Sequence, residues 1–84
     1  MTVPELRIDA ARLLTRLDQL AEIGVIEGGG CCRLALTDED KAGRDSVVGW
    51  MRELGLEVSV DRIGNVFGLR PGLEPLAPVM TGSH

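Results

Sequence analysis

Leu13, Leu14, Leu17, Leu20 and Ala21 recur at intervals of three and four between residues 9 and 23. That spacing puts them on one side of a helix and predicts an amphipathic element. Asp9 stands where an N-cap accepts hydrogen bonds from free amides, and Gly24 stands where a left-handed residue ends the helix. The other side carries Arg12, Arg16, Asp18 and Glu22, a solvated face. A second helix is expected from Thr37-Asp38-Glu39-Asp40, a variant of the capping box with three acids at the positive helix end. Ala42, Val47, Val48, Met51 and Leu54 form its expected buried stripe, Trp50 flanks them, and Gly55 is the stop. Beyond Gly55 the period falls to two, with Leu56, Val58 and Val60 alternating with Glu57, Ser59 and Asp61, as in a half-buried strand. Turn residues at 61–65 and a returning stretch, Val66-Phe67-Gly68-Leu69, complete a hairpin, in which Gly68 marks a bulge or close packing. Pro71-Gly72, Pro75 and Pro78 lead to Val79 and Met80, the expected start of a third strand that ends in Gly82-Ser83-His84. Helix, helix, hairpin and strand predict an α/β fold with His84 at the carboxyl end of a buried strand, where α/β sheets bind ligands.

The chemistry-bearing residues are few. Gly28-Gly29-Gly30 lacks the preceding strand, the spaced glycines and the Lys of a phosphate cradle, and reads as a flexible loop. Cys31 and Cys32 are adjacent, so a bridge between them would close a strained ring; they are expected to be reduced thiols. A zinc site built on them would need at least two more ligands, and His84 is the only histidine. Asp38, Glu39 and Asp40 point in different directions on a first turn and suit capping better than paired acid/base work. No catalytic residue is expected within the chain.

Size and charge narrow the classes. Eighty-four residues make one small domain or a piece of a larger one, with about 60% of the unfolded surface buried at best. A net charge of −4 offers no basic surplus for phosphates or anionic lipid, which argues against nucleic acid and membrane as partners. No apolar run reaches the length of a membrane span, and Met-Thr-Val-Pro-Glu lacks the features of a signal peptide, so a cytoplasmic location is expected. With Trp50 and Phe67 the only aromatics, any core must be aliphatic.

A histidine at a chain end is by itself a tail residue, a vector-derived remnant or a ligand. The segments before it stand in a recognisable order: Ala21-Glu22-Ile23-Gly24, Arg33-Leu34-Ala35-Leu36-Thr37-Asp38-Glu39-Asp40-Lys41, Arg44-Asp45 and Trp50-Met51. Gly55-Leu56-Glu57-Val58, Asp61-Arg62-Ile63-Gly64-Asn65-Val66-Phe67-Gly68, Arg70-Pro71-Gly72 and Val79-Met80-Thr81-Gly82-Ser83-His84 follow. Together, over residues 12–84, they resemble the amidase/hydantoinase/carbamoylase family of binuclear metal amidohydrolases, which includes N-carbamoyl-L-amino acid hydrolases, allantoate amidohydrolases and beta-ureidopropionases.

That resemblance implies a zinc-aminopeptidase-like catalytic domain of which residues 1–84 are the amino-terminal part, truncated after its first core strand. It implies that His84 is a metal ligand, and that the family uses two divalent ions, zinc or manganese. In the family an Asp orienting that His, a bridging Asp, a Glu general base and the remaining ligands follow, as does a lid domain that mediates dimerisation. All would lie beyond residue 84, so the isolated chain is expected to hold at most one ion weakly and to be inactive. The implied substrates are small ureido or amide compounds, and the full-length protein is expected to be a homodimer. Cys31-Cys32 departs from the Gly/Val-Thr character of the family's loop, which leaves that loop without an implied role in substrate binding. Two other readings compete: a noncatalytic α+β interaction module, and a piece of a related dipeptidase or aminoacylase. The Thr-Asp-Glu-Asp-Lys and Gly-Asn-Val-Phe-Gly stretches fit the carbamoylase branch better.

Overall fold

The computed structural model describes residues 5–83. It contains two helices, α1 (Ala10–Ala21) and α2 (Asp38–Glu53), and two strands, β1 (Glu57–Val60) and β2 (Val66–Leu69). The chain divides into two units, Met1–Ser46 and Val47–His84, with the boundary inside α2.

In the first unit, Asp9 caps α1 as its sequence position predicts: Oδ1 accepts from the Arg12 amide at 3.0 Å. Gly24 turns the chain after the helix with φ +76°. The following loop folds back on itself through an antiparallel bridge between Val25 and Cys31. The Cys32 amide donates to the Gly24 carbonyl at 2.7 Å and the Ile26 amide to Gly30 at 2.9 Å. Gly28 and Gly29, both at positive φ, make the tight reversal, so the glycine triplet is a turn. Arg33 then reaches back to α1, where its Nη1 donates to the carbonyls of Leu20 at 2.8 Å and Ile23 at 2.9 Å. The Leu20 carbonyl also takes the Ile23 amide, so the guanidinium adds a second donor there, supplies one to Ile23 and complements the negative helix end. Gly43 on α2 is the only buried position among the described residues, and a Cβ there would lie 3.2 Å from the Arg33 Cδ and 3.6 Å from a Leu20 methyl. α2 therefore passes close over the arginine because residue 43 has no side chain.

The start of α2 follows the capping prediction in part. Thr37 Oγ1 accepts from the Asp40 amide at 3.2 Å. Asp40 does not complete the box; its carboxylate takes Arg44 at 2.9 Å, one turn on, and the Thr37 amide goes to the Leu34 carbonyl. Lys41 and Asp45 form a second pair at i, i+4.

In the second unit the hairpin is regular. Glu57 pairs with Leu69, Val58 with Gly68, Ser59 with Phe67 and Val60 with Val66, antiparallel throughout. There is no bulge at Gly68. The alternative reading, close packing, holds: a Cβ on Gly68 would lie 3.0 Å from a Leu56 methyl and 3.1 Å from the Met51 sulfur. Val58, Val60, Val66 and Gly68 thus share the face turned toward Met51, and Glu57, Ser59, Phe67 and Leu69 share the opposite one.

Two expectations are corrected. Residues 79–83 belong to no strand; Val79 and Met80 are exposed and pair with no other strand. A strand exists only where a neighbour takes its alternate amides and carbonyls, and residue type cannot supply that neighbour. The stripe on α2 is not buried either: Val47, Val48 and Met51 are half-buried, Ala42 and Leu54 exposed. No hydrophobic side chain among the described residues is buried. Periodicity places apolar residues on one side of a helix, but the cover must come from elsewhere. No helix among the described residues is long and apolar enough to cross a membrane.

Candidate functional site

His84, the one metal ligand expected from the sequence, lies outside the described residues. The segment leading to it, Thr81-Gly82-Ser83, is described and exposed, and a Cβ at Gly82 would meet open space. Among the described residues no three His, Cys, Asp or Glu side chains gather closely enough to hold a metal ion. The donors a catalytic zinc needs, at least three from protein, are therefore not assembled in residues 5–83.

Other groups singled out in the sequence take local roles. Asp38, Glu39 and Asp40 occupy the first turn of α2, where the helix amides and dipole favour negative charge. Cys31 and Cys32 are free and exposed, in keeping with reduced thiols. They serve different surroundings, as neighbours on extended chain must. Cys31 Sγ donates to the Ala21 carbonyl at 3.0 Å. Cys32 lines a shallow cavity of about 250 Å³, together with Gly24, Val25, Ile26, Leu34, Thr37 and Glu39. The walls combine apolar side chains with the Cys32 thiol, the Thr37 hydroxyl and the Glu39 carboxylate, and the Thr37 hydroxyl is engaged with the Leu34 carbonyl and the Asp40 amide. In the second unit, the loop 68–79 encloses an open hollow of about 770 Å³ between its prolines and leucines.

The most ordered polar cluster is the hairpin turn. Asp61 Oδ1 accepts from the amides of Ile63 at 3.0 Å and Asn65 at 2.9 Å, and Oδ2 accepts from the Asn65 side-chain amide at 2.7 Å. The Asn65 side chain and then its backbone amide hold the Asp61 carboxyl below its ordinary 3.8; the Ile63 and Gly64 amides add to this, and partial desolvation opposes it. On α2, the hydrogen bond and charge of Asp45 raise the Lys41 ammonium above 10.5. Asp61 shapes the turn backbone, whereas Lys41 pairs with a side chain on its own helix. Arg33 is the residue that sequence reasoning missed. A lone charge in the stretch Cys-Cys-Arg-Leu-Ala-Leu was the available signal, but its acceptors lie 10 and 13 residues upstream.

No family model matches the sequence. Individual proteins do. The chain is 44% identical over 79 residues to an N-carbamoyl-L-amino-acid amidohydrolase of Rhizobium meliloti, a match covering 93% of this chain and 19% of that protein. It is 38% identical over 69 residues to the allantoate amidohydrolase of Bacillus subtilis, covering 81% of this chain and 17% of that protein. The crystal structure of a hydantoinase/carbamoylase family amidase from Burkholderia ambifaria superposes with a TM-score of 0.82 at 47% identity, over 88% of this chain and 18% of that one. The chain thus spans about a fifth of the length of the relatives it matches. Sequence and backbone agree over nearly all of it, and the chain matches a segment of the hydantoinase/carbamoylase amidase family, to which the N-carbamoyl-L-amino-acid and allantoate amidohydrolases belong.

Proposed function

We propose that the chain is the amino-terminal part of a metal-dependent amidohydrolase that hydrolyses linear C–N bonds of N-carbamoyl amino acids, allantoate or ureidopropionate. The observation that carries this reading is the 44% identity to an N-carbamoyl-L-amino-acid amidohydrolase over 93% of the chain. In this reading residues 1–84 open a zinc-aminopeptidase-like catalytic domain, and the complete protein works as a homodimer on small ureido or amide substrates. His84 contributes one neutral imidazole toward a pair of divalent ions, zinc or manganese, and the other ligands and the general base come from polypeptide outside these residues. Such ions polarise a carbonyl and lower the pKa of bound water, which an unreactive ureido carbon requires. Because this reading places the other ligands and the base outside these residues, and a catalytic zinc takes at least three protein ligands, the proposal includes that the 84-residue chain alone is inactive.

Two measurements test this. Purified chain incubated with zinc or manganese and an N-carbamoyl-L-amino acid is expected to release no more ammonia than its His84→Ala variant; release above that control overturns the inactivity. A chimera in which the chain replaces the matched 79-residue segment of the Rhizobium meliloti relative is expected to release ammonia, and to lose that activity with His84→Ala. A well-folded but inactive chimera would overturn the assignment.

A further inference from the structure

Two glycines interrupt α2, and they stand in different surroundings. Gly49 has open space where a Cβ would lie, whereas a Cβ at Gly43 would meet the Arg33 Cδ at 3.2 Å and its Nε at 3.7 Å. Neither glycine is at positive φ, so the backbone demands glycine at neither place. Inside a helix, glycine shifts the balance from helix to coil about fivefold relative to alanine. Alanine at residue 49 would recover that loss. At residue 43 the outcome depends on whether the arginine can move aside by a few tenths of an ångström. A freely rotating arginine could. This one is anchored, because its Nη1 donates to the Leu20 carbonyl at 2.8 Å and the Ile23 carbonyl at 2.9 Å, both at the carboxyl end of α1. No carboxylate among the described residues forms an ion pair with it, so those carbonyls are its printed acceptors. Cys31, two residues earlier, donates its Sγ to the Ala21 carbonyl beside them. Residues 31 and 33 thus both lay their side chains on the end of α1, as alternate residues of extended chain can.

We infer that Arg33 and Gly43 form a latch between the two helices: α2, packed on the arginine through a bare backbone, confines the guanidinium to the carboxyl end of α1, so that the last turn of α1 and the adjoining part of α2 open and close as one unit. A side chain at residue 43 pushes the Arg33 Cδ away, draws Nη1 off its two carbonyls and frays a helix to which residue 43 does not belong. The usual benefit of replacing a helical glycine by alanine is therefore reversed at residue 43 and kept at residue 49. The reversal exists only while the arginine is present.

The test compares Gly43→Ala with Gly49→Ala in the 84-residue chain, each made with Arg33 and again with Arg33→Ala. Helical circular dichroism reads both helices. Exchange of the Ile23 amide, which donates to the Leu20 carbonyl, reads the end of α1 alone. With Arg33 in place, Gly49→Ala should raise helicity and leave Ile23 unchanged. Gly43→Ala should lower helicity and speed Ile23 exchange about tenfold or more, the effect of losing hydrogen bonds from a charged donor. With Arg33→Ala, Gly43→Ala should instead raise helicity as Gly49→Ala does and add nothing to Ile23 exchange. Gly43→Ala raising helicity beside an intact Arg33, or lowering it equally with and without Arg33, overturns the latch. An Ile23 amide unprotected in the parent chain overturns it as well. Should Arg33→Ala leave too little helix to measure, the opposite signs of Gly43→Ala and Gly49→Ala beside Arg33 decide alone: opposite signs uphold the latch, and equal signs overturn it.

Discussion

Gly24 is held by two constraints at once. Its φ of +76° suits a residue without Cβ, and a Cβ built there would lie 2.5 Å from the Cys32 carbonyl oxygen, a backbone atom that cannot swing aside. Gly55 has a similar φ of +77° but open space around it. Gly24→Ala is therefore expected to destabilise its turn by about 2 kcal/mol or more, and Gly55→Ala by only about 1 kcal/mol. Amide exchange of Cys32, which donates to Gly24, reads the first directly. Asp61 gives a pH prediction. Its carboxyl is held below 3.8 in the folded turn, so its contribution to the hairpin is complete above that value and fades as pH falls through the lower folded value. An NMR titration should find its midpoint below 3.8, and Asn65→Ala, which removes the largest cause, should move it upward. Residues of this kind were legible in the sequence when their partners were near. Asp9 and Thr37 cap amides three residues away, so a short window contained the whole interaction. Arg33 was not legible, because only the folded chain brings it to Leu20 and Ile23.

Both helices and the hairpin form where the periodicity placed them, since capping, i, i+4 pairs and alternation are local physics. Thr37→Ala removes the acceptor for the Asp40 amide and is expected to cost the first turn of α2 about 1 kcal/mol. Faster exchange of the Asp40 amide, with that of Trp50 unchanged, would show the loss confined to that end. Arg33→Ala should fray the last turn of α1 by removing a cation and two hydrogen bonds from its carboxyl end, seen as a loss of helical circular dichroism. The third strand failed as an expectation for a reason that no window of residues contains. Val79 and Met80 have the right side chains, but a ladder needs a neighbouring backbone. The expected metal ligand, His84, lies outside the described residues. The Gly-Ser-His motif was readable only as a resemblance, and among the described residues no three metal-binding side chains gather.

At the scale of the chain, the described residues form apolar stripes without a buried core. No hydrophobic side chain among the described residues is buried, and a chain of this size begins with little burial to spare. The isolated chain is expected to melt gradually and to bind a dye for exposed apolar surface such as ANS, as expanded states do. A sharp calorimetric transition would contradict this. The two-sided hairpin extends the consequence into the cell. With Phe67 and Leu69 facing away from Met51, a chain made alone displays a surface that chaperones and proteases engage. Its lifetime after synthesis would then depend on how readily those systems engage that face. Steady-state abundance should accordingly rise with Phe67→Ser, even at a constant rate of translation.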